Sequence, residues 1–258
     1  MPDSGIIQVA GHDVIKNALE VRKQIGLLTS GERSLYWKLT PVDNLMYFSA
    51  LYGMPKKEAR KRIEYLLNLM DLQDVAYTRV EKLSQGMKQK LALARAMVHD
   101  PKILLLDEPT IGLDPSFAKY LRNFIKEELS RNQHKTILLT THYMYEAEEL
   151  CDRIAFIDEG VIKELGTPNE LKKVLPKERI LEFKCHGQIE KDWLTEFEAH
   201  IFERDGFVYI RVATDEPEST LQKMLDKLHG RLKVLRVEIT EPTLEDVFIY
   251  LTGKKLSE

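Results

Sequence analysis

Residues 83–114 read LSQGMKQKLALARAMVHDPKILLLDEPTIGLD, and this stretch decides the fold. Its apolar residues recur at helical spacing until Asp100-Pro101 ends the pattern, so a helix is predicted to begin at Ser84 and Gly86. The first N–H groups of a helix lack intrahelical partners and carry positive partial charge, and a glycine lets an anion approach closely. The start of this helix is therefore suited to binding phosphate.

A wholly apolar run at residues 103–106 is typical of a parallel strand that is covered on both faces. Asp107 and Glu108 follow it directly, at the end of the strand where open α/β sheets bind their ligands. One carboxylate can hold Mg²⁺ through oxygen, and the other can orient or deprotonate a water molecule. Taken singly, Ser84 is also typical of an ordinary helix cap, and Asp-Glu-Pro is also typical of a turn. Together they favour one phosphate site.

In order and spacing, the stretch resembles the ATP-binding-cassette (ABC) ATPases. Leu83–Met87 is similar to that family's LSGGQ signature, with Gln85 and Met87 as departures, and Leu113-Asp114 resembles its D-loop. Residues 104–108 resemble its Walker B strand and catalytic glutamate. The resemblance implies an α/β fold of the P-loop NTPase type with a helical subdomain and a small C-terminal α+β domain.

The resemblance also implies roles for these residues, with ATP and Mg²⁺ as cofactors. Asp107 would help to hold Mg²⁺, and Glu108 would be the catalytic base or water-orienting group. The signature would contact the ATP held by a second cassette subunit. Its four residues are Leu83, Ser84, Gln85 and Gly86.

His142 comes two residues after a second predicted buried strand, residues 136–140. If this strand lies beside residues 103–106, about 4.8 Å away, His142 and Glu108 emerge at the same edge of the sheet. A lone histidine is more often structural, but this placement favours a role at the site. It resembles the family's H-loop histidine, which contacts the γ-phosphate.

A polar loop at residues 29–36 follows a predicted strand at residues 23–28. In the family this loop carries a glutamine that contacts Mg²⁺ and the attacking water. No glutamine stands in this loop, and Glu32 is the nearest residue that could offer an oxygen to the metal. A solvated glutamate is the alternative interpretation of Glu32.

The chain has 258 residues, 43% of them hydrophobic and 31% charged, so it can bury a core. Its net charge of −3 contains no basic block, which argues against a nucleic-acid partner. Two distant cysteines predict neither a disulfide framework nor a zinc site. Without a signal peptide or a long apolar run, we expect a cytoplasmic chain that reaches the inner face of the membrane through a permease subunit.

Two domains are predicted, an ATPase domain over residues 1–176 and an accessory domain over residues 177–258. In the first, a hairpin is predicted at residues 3–14, and helices at 40–52 and 56–70 belong to a helical subdomain of about residues 40–86. By resemblance this subdomain docks on the membrane-spanning subunit, whereas the pattern alone indicates core packing. Further elements are predicted as a helix at 116–131, a helix at 145–151, a hairpin at 154–165, a helix capped by residues 166–168 and a linker at 175–178.

The accessory domain is predicted to be α+β. Strands are expected at residues 180–184, 207–212 and 232–239, and helices at 193–200, 221–228 and 244–251. The tail, residues 241–253, resembles that of cassette subunits serving exporters of the drug, sodium or polysaccharide type. A terminal helix capped by Thr243 explains the same residues physically.

No Gly-x-x-x-x-Gly-Lys-(Ser/Thr) motif occurs in these residues, although the family's phosphate loop would supply it. By the family pattern, Met1 falls roughly a dozen residues after that Walker A motif, so we expect about 40 to 50 further N-terminal residues. A degenerate subunit is the alternative. Without those residues, strand edges and apolar faces are expected to be open.

Three functions compete at this point. The first is the ATP-hydrolysing subunit of a transporter, which works as a head-to-tail pair of cassettes. The second is a docking or regulatory partner of a complete cassette subunit. The third, a soluble cassette protein of translation or DNA repair, usually has two cassettes or a long coiled coil, and the sequence contains neither.

Overall fold

The computed structural model describes residues 3–29, 35–175, 179–189, 194, 196–197 and 199–253. The chain forms two compact units, Met1–Glu146 and Ala147–Glu258. This division lies nearer the N-terminus than the predicted boundary at residue 176, which stays a prediction. None of the helices in the described ranges is long and apolar enough to cross a membrane.

The first unit opens with a small hairpin and a short helix. Strands β1 (Gln8–Val9) and β2 (His12–Asp13) pair antiparallel, as predicted, and helix α1 (Ala18–Gln24) follows. The sequence analysis did not predict α1, because only Val21 of its residues is buried and the helical pattern is correspondingly weak.

A three-stranded parallel sheet lies at the centre of the first unit. Its strands are β3 (Ile25–Leu28), β4 (Ile103–Asp107) and β5 (Thr136–Thr140), in that order across the sheet. One face buries Leu28, Leu104 and Leu106 completely or nearly so. Within the described residues the other face is open, and Leu27 and Leu138 there are 47% and 65% exposed.

Three helices pack against one another, the third of them also packs against β3, and their ends follow the predicted signals. Helix α2 (Pro41–Leu51) begins at a capping box formed by Thr40 and Asp43. Helix α3 (Lys56–Leu69) and helix α4 (Gln85–Ala96) follow, with short 3-10 turns at Gln73–Val75 and Val80–Lys82 between them. Their core contains Leu45, Ile63, Leu66, Leu67, Met70, Leu91 and Leu93, all buried.

Helix α5 (Pro115–Asn123) continues without a break into a π-helical segment, Phe124–Asn132. One helix was predicted over residues 116–131, so the sequence located the element but not its change of hydrogen-bonding pattern. Helix α6 (Met144–Leu150) begins two residues after His142.

In the second unit, strands β6 (Ile154–Asp158) and β7 (Val161–Gly166) form the predicted hairpin. Its turn residues Glu159 and Gly160 both have positive φ, 52° and 77°, as a tight two-residue hairpin turn requires. Helix α7 (Pro168–Lys172) then begins at the predicted Thr167 cap.

The rest of this unit is a four-stranded antiparallel sheet in the order β11-β8-β10-β9, with two helices. The elements are β8 (Arg179–His186), β9 (His200–Arg204), β10 (Phe207–Thr214), α8 (Pro217–Leu228), β11 (Lys233–Thr240) and α9 (Leu244–Thr252). Its core contains Cys185, and burial raises the pKa of that thiol to about 11.

The helix predicted over residues 193–200 is contradicted at its last residue. Residues 194, 196 and 197 form 3-10 turns, whereas His200 begins strand β9, whose five residues all pair with β10. Pairing with a neighbouring strand therefore excludes His200 from the helix. Trp193 lies outside the described residues, as do residues 176–178 of the predicted linker.

Candidate active site at the ends of two parallel strands

The two strand-end carboxylates are fixed by the neighbouring strand. Asp107 and Thr140 are the last residues of β4 and β5 and stand opposite each other in register. The Thr140 hydroxyl donates to Asp107 Oδ1 at 2.6 Å, and the backbone N–H of Glu108 donates to the Thr140 carbonyl at 3.0 Å. Thr140 was not predicted as a site residue, although its place at the end of the predicted strand was a usable signal.

Glu108 and His142 meet at this edge, as their placement after adjacent strands predicted. His142 Nδ1 lies 3.0 Å from Glu108 Oε1, and the two side chains are 35% and 33% exposed. They are thus shielded on most sides but open to an incoming water molecule. Among the described residues no partner is found for His142 Nε2, so that nitrogen is available to a ligand.

The backbone of Glu108 is itself unusual. Its φ is +46°, in the left-handed region that residues with a β-carbon seldom adopt. Such a conformation costs on the order of 1 kcal/mol and persists where surrounding contacts hold it. The direction of this carboxylate is therefore set by the fold.

The predicted phosphate-binding residues lie at the start of α4. Ser84 caps the helix by accepting from the Met87 N–H at 3.2 Å, and Leu83 beside it is buried. Ser84 and Gln85 are exposed, while Gly86 packs against the ring of Phe117. Within the described part of the chain, no hydrogen bond joins Ser84 or Gly86 to Glu108 or His142.

Two other predicted residues, Asp114 and Leu113, make local hydrogen bonds. Asp114 caps α5 by accepting from the Phe117 N–H at 3.0 Å, and the Leu113 N–H donates to the Thr110 carbonyl at 3.3 Å. Glu32 lies outside the described residues.

The segment after Glu108 makes two hydrogen bonds that the sequence analysis did not predict. The Gln89 side-chain amide donates to the Pro109 carbonyl at 2.7 Å. The Thr110 hydroxyl donates to Glu146 Oε1 at 2.8 Å, and this pair is buried, with exposures of 5% and 0%. No local sequence signal marks either contact, because the partners are 20 and 36 residues apart.

The side chains at the strand ends could hold Mg²⁺ only together with further ligands from a substrate. No group of three or more Asp, Glu, His or Cys side chains arranged to hold a metal occurs among the described residues. Mg²⁺ is commonly held by one or two carboxylates together with the phosphates of a substrate. Asp107, a carboxylate already oriented by Thr140, fits that arrangement.

Two family models match the chain. The model described as "ABC transporter" matches residues 1–111. The model described as "ATP-binding protein DrrA1-3-like, C-terminal domain" matches residues 166–252.

Similar proteins include two ATP-binding proteins of Bacillus subtilis (strain 168). The chain is 44% identical over 161 residues to the ABC transporter ATP-binding protein NatA, a match that covers 62% of this chain but less than two thirds, 65%, of that protein. It is 31% identical over 262 residues to the linearmycin resistance ATP-binding protein LnrL, covering 99% and 83%. It is also 35% identical over 258 residues to the Nod factor export ATP-binding protein I of Burkholderia orbicola (strain AU 1054), covering 100% and 82%.

Solved structures agree with these similarities. The chain is similar to cbiO1 of Clostridium perfringens, part of the ABC transporter complex cbiONQ, with a TM-score of 0.59, 26% identity and coverage of 67% and 72%. It is similar to another ATP-binding subunit of an ABC transporter, with a TM-score of 0.58, 27% identity and coverage of 67% and 71%. The predicted α/β fold of the P-loop NTPase type is therefore confirmed.

Proposed function

We propose that this chain, which belongs to the ATP-binding proteins of ABC transporters, drives transport by closing on ATP as one of a pair of cassettes and reopening after hydrolysis. The family is an ATPase family, so the reaction is the transfer of the γ-phosphoryl group of ATP to water. The observation that carries the proposal is the contact between Glu108 and His142 at the ends of adjacent parallel strands.

Glu108 is the proposed general base or water-orienting group. Its carboxylate accepts a hydrogen bond from the attacking water, or its proton, as the bond to the γ-phosphorus forms. Nδ1 of His142 contacts the carboxylate, and Nε2 would be the nitrogen that contacts a γ-phosphate oxygen. Because both side chains are about one third exposed, water reaches them without a large opening of the fold.

Asp107 and Thr140 are proposed to form the Mg²⁺ side of the site. Bound Mg²⁺ would neutralise charge on the β- and γ-phosphates. The Thr140 hydroxyl donates to Asp107 Oδ1 and so helps to orient the carboxylate. A carboxylate that is already oriented loses less side-chain freedom on binding a ligand, which favours binding.

Ser84 and Gly86, with Leu83 and Gln85, are proposed to act on the ATP of a second cassette. They lie at the N-terminus of the 12-residue helix α4, where unpaired N–H groups favour an anion. No hydrogen bond joins them to Glu108 or His142 among the described residues, which is compatible with a head-to-tail pair, in which each nucleotide lies between two subunits. Leu113-Asp114, between the strand end and α5, would face the same interface.

The remaining partner is proposed to be a membrane-spanning permease on the cytoplasmic face of the membrane. The names of LnrL and of the Nod factor protein, linearmycin resistance and export, support transport in the export direction. The substrate would contact the permease, so no residue of this chain is assigned to it.

Replacement of Glu108 by Gln tests the proposal. In the protein purified with its accompanying subunits, Glu108→Gln should lower ATP turnover about 100-fold or more while ATP-bound dimers accumulate. Glu203→Gln, the same change at an exposed position in β9, should leave turnover unchanged. Full turnover by Glu108→Gln would refute the assignment. A wild-type complex that binds its partners but shows no turnover would favour the alternative, a docking or regulatory cassette.

A further inference from the structure

The position of the Glu108 carboxylate depends on a segment that lies between two helices. Strand β4 ends at Asp107, so Glu108 lies just beyond the strand, and its left-handed backbone is unfavourable by itself. Before the turn, the Thr140 carbonyl and hydroxyl accept the Glu108 N–H at 3.0 and 3.2 Å. After the turn, residues 109 and 110 must be held by other groups.

Two side chains from different helices hold those residues. Gln89 of α4 donates to the Pro109 carbonyl, and Glu146 of α6 accepts from the Thr110 hydroxyl. Pro109 and Thr110 are both buried, so neither bond exchanges readily with water. The turn that carries Glu108 is thus fixed on both sides.

Glu146 is an unusual choice for a purely structural contact. It is fully buried, and its Oε2 atom has no hydrogen-bond partner among the described residues. A buried carboxylate with one partner costs more than an apolar pair of similar volume would. Stability alone therefore does not account for a carboxylate at this position.

The position of Glu146 close to His142 in the chain offers an explanation for the buried carboxylate. Glu146 lies in the first turn of α6, and its N–H donates to the carbonyl of Tyr143, the residue after His142. The Thr110–Glu146 bond therefore connects the residues just after Glu108 to the residues just after His142. The two reacting side chains are held together directly, at 3.0 Å, and again through this buried pair.

We propose that Thr110, Glu146 and Gln89 are positioning residues that hold the Glu108 carboxylate in its catalytic geometry against His142. This inference rests on the proposed function. Because Gln89 belongs to α4, whose N-terminus carries Ser84 and Gly86, the position of Glu108 also depends on this helix.

Thr110→Val is the sharpest test, because it keeps the shape of the side chain and removes only the hydroxyl. Displacing a catalytic group by about 1 Å can lower a rate by about 100-fold. We expect kcat for ATP to fall roughly 10- to 100-fold and KM to change less than about twofold, since these residues lie behind the base and do not bind nucleotide. Thr110→Ser, which keeps the hydroxyl, should recover at least about half of kcat.

Gln89→Met is a second variant, in case Thr110→Val folds poorly. It keeps the side-chain length but cannot donate to Pro109, and it should lower kcat in the same way. Thermal unfolding of each variant, measured alongside kinetics, separates loss of folded protein from loss of rate.

A double variant separates positioning from a general structural role. If Thr110 acts through Glu108, then adding Thr110→Val to Glu108→Gln should change the residual turnover by less than about twofold, because the carboxylate to be positioned is already gone. A further 10-fold loss in the double variant would overturn the inference. Wild-type kcat in both Thr110→Val and Gln89→Met would overturn it too.

The same series distinguishes this inference from the proposed function. If Glu108→Gln keeps full turnover, the proposed function fails whatever Thr110→Val does. If Glu108→Gln loses turnover and Thr110→Val does not, the proposed function stands and only the positioning role fails.

Discussion

Gly26 of strand β3 lies directly against the backbone carbonyl of Ala96 at the end of helix α4. A β-carbon at residue 26 would stand 2.1 Å from that oxygen, and also within 3 Å of Leu104 and Pro101. The central sheet and helix α4 can therefore pack this closely only because residue 26 has no side chain.

Gly26→Ala should consequently separate the sheet from α4. Overpacking a core typically costs 1–3 kcal/mol, and a clash with backbone cannot be relieved by a rotamer change, so we expect a loss of about 3 kcal/mol or more. Urea unfolding measures it. Gly86→Ala is the matched control: its β-carbon would lie 3.3 Å from the Phe117 ring, and the loss should stay below about 1 kcal/mol. Equal losses in the two variants would contradict the packing described for Gly26.

Ser84 combines a structural role with a proposed functional one, and urea unfolding measures the structural role. Ser84→Ala removes the α4 cap and should destabilise the protein by about 1 kcal/mol. Ser84→Thr keeps a capping oxygen, so its unfolding free energy should be within about 0.5 kcal/mol of wild type. A larger effect of Thr than of Ala on stability would show that the cap is not the relevant contact.

His142 should matter for turnover and little for stability. His142→Ala removes both the contact with Glu108 and the free Nε2, and we expect ATP turnover to fall about 100-fold or more. His186→Ala, a change at an exposed histidine in the second unit, is the control. The ATP turnover of both variants is measured as steady-state phosphate release. Turnover within threefold of wild type in His142→Ala would remove His142 from the site.

His99 should make stability depend on pH. Burial lowers the pKa of its imidazole to about 4, although its Nε2 contacts the Ile25 carbonyl at 3.0 Å. The folded protein thus keeps His99 neutral, while the unfolded chain binds a proton below about pH 6.5. The stability associated with the neutral ring is fully present above pH 6.5 and is lost as the pH falls towards 4.

Because of His99, we expect the free energy of unfolding to be about 2 kcal/mol lower at pH 5 than at pH 7.5. The charged neighbours of His99 are Arg62, Lys135 and Asp100. Burial alone would raise the pKa of Asp100, but the ammonium of Lys135 and the guanidinium of Arg62 hold that pKa below its usual value. In His99→Gln the difference between the two pH values should shrink by about that amount, as measured by urea unfolding. An unchanged difference would assign the pH dependence to other groups.

The parts of the fold that could be predicted from sequence are those with local causes. Thr40-Pro41 and Ser84 predict helix starts because a cap acts within three residues. The apolar run before Asp107 predicts a buried strand. The meeting of Glu108 and His142 was predictable because parallel strands end at the same edge of a sheet.

What could not be predicted depends on contacts between distant residues. Strand β9 forms because β10 is beside it, and no pattern within residues 200–204 decides that. The Thr110–Glu146 bond forms only once α6 packs over the turn after β4. Thr140 is an intermediate case. Its position at the end of a strand could be predicted, but its hydrogen bond to Asp107 depends on the register of the two strands.

Cys185 has a practical consequence that reaches beyond its role in the core. Its thiol is buried among the strands and helix of the C-terminal sheet, and with a pKa of about 11 it is almost wholly un-ionised at neutral pH. A thiol reagent can modify it only when that core opens, so the modification rate counts opening events of the second unit. The modification rate of Cys185 therefore reports local unfolding of the second unit, and it can be measured separately from the ATPase activity proposed for the first.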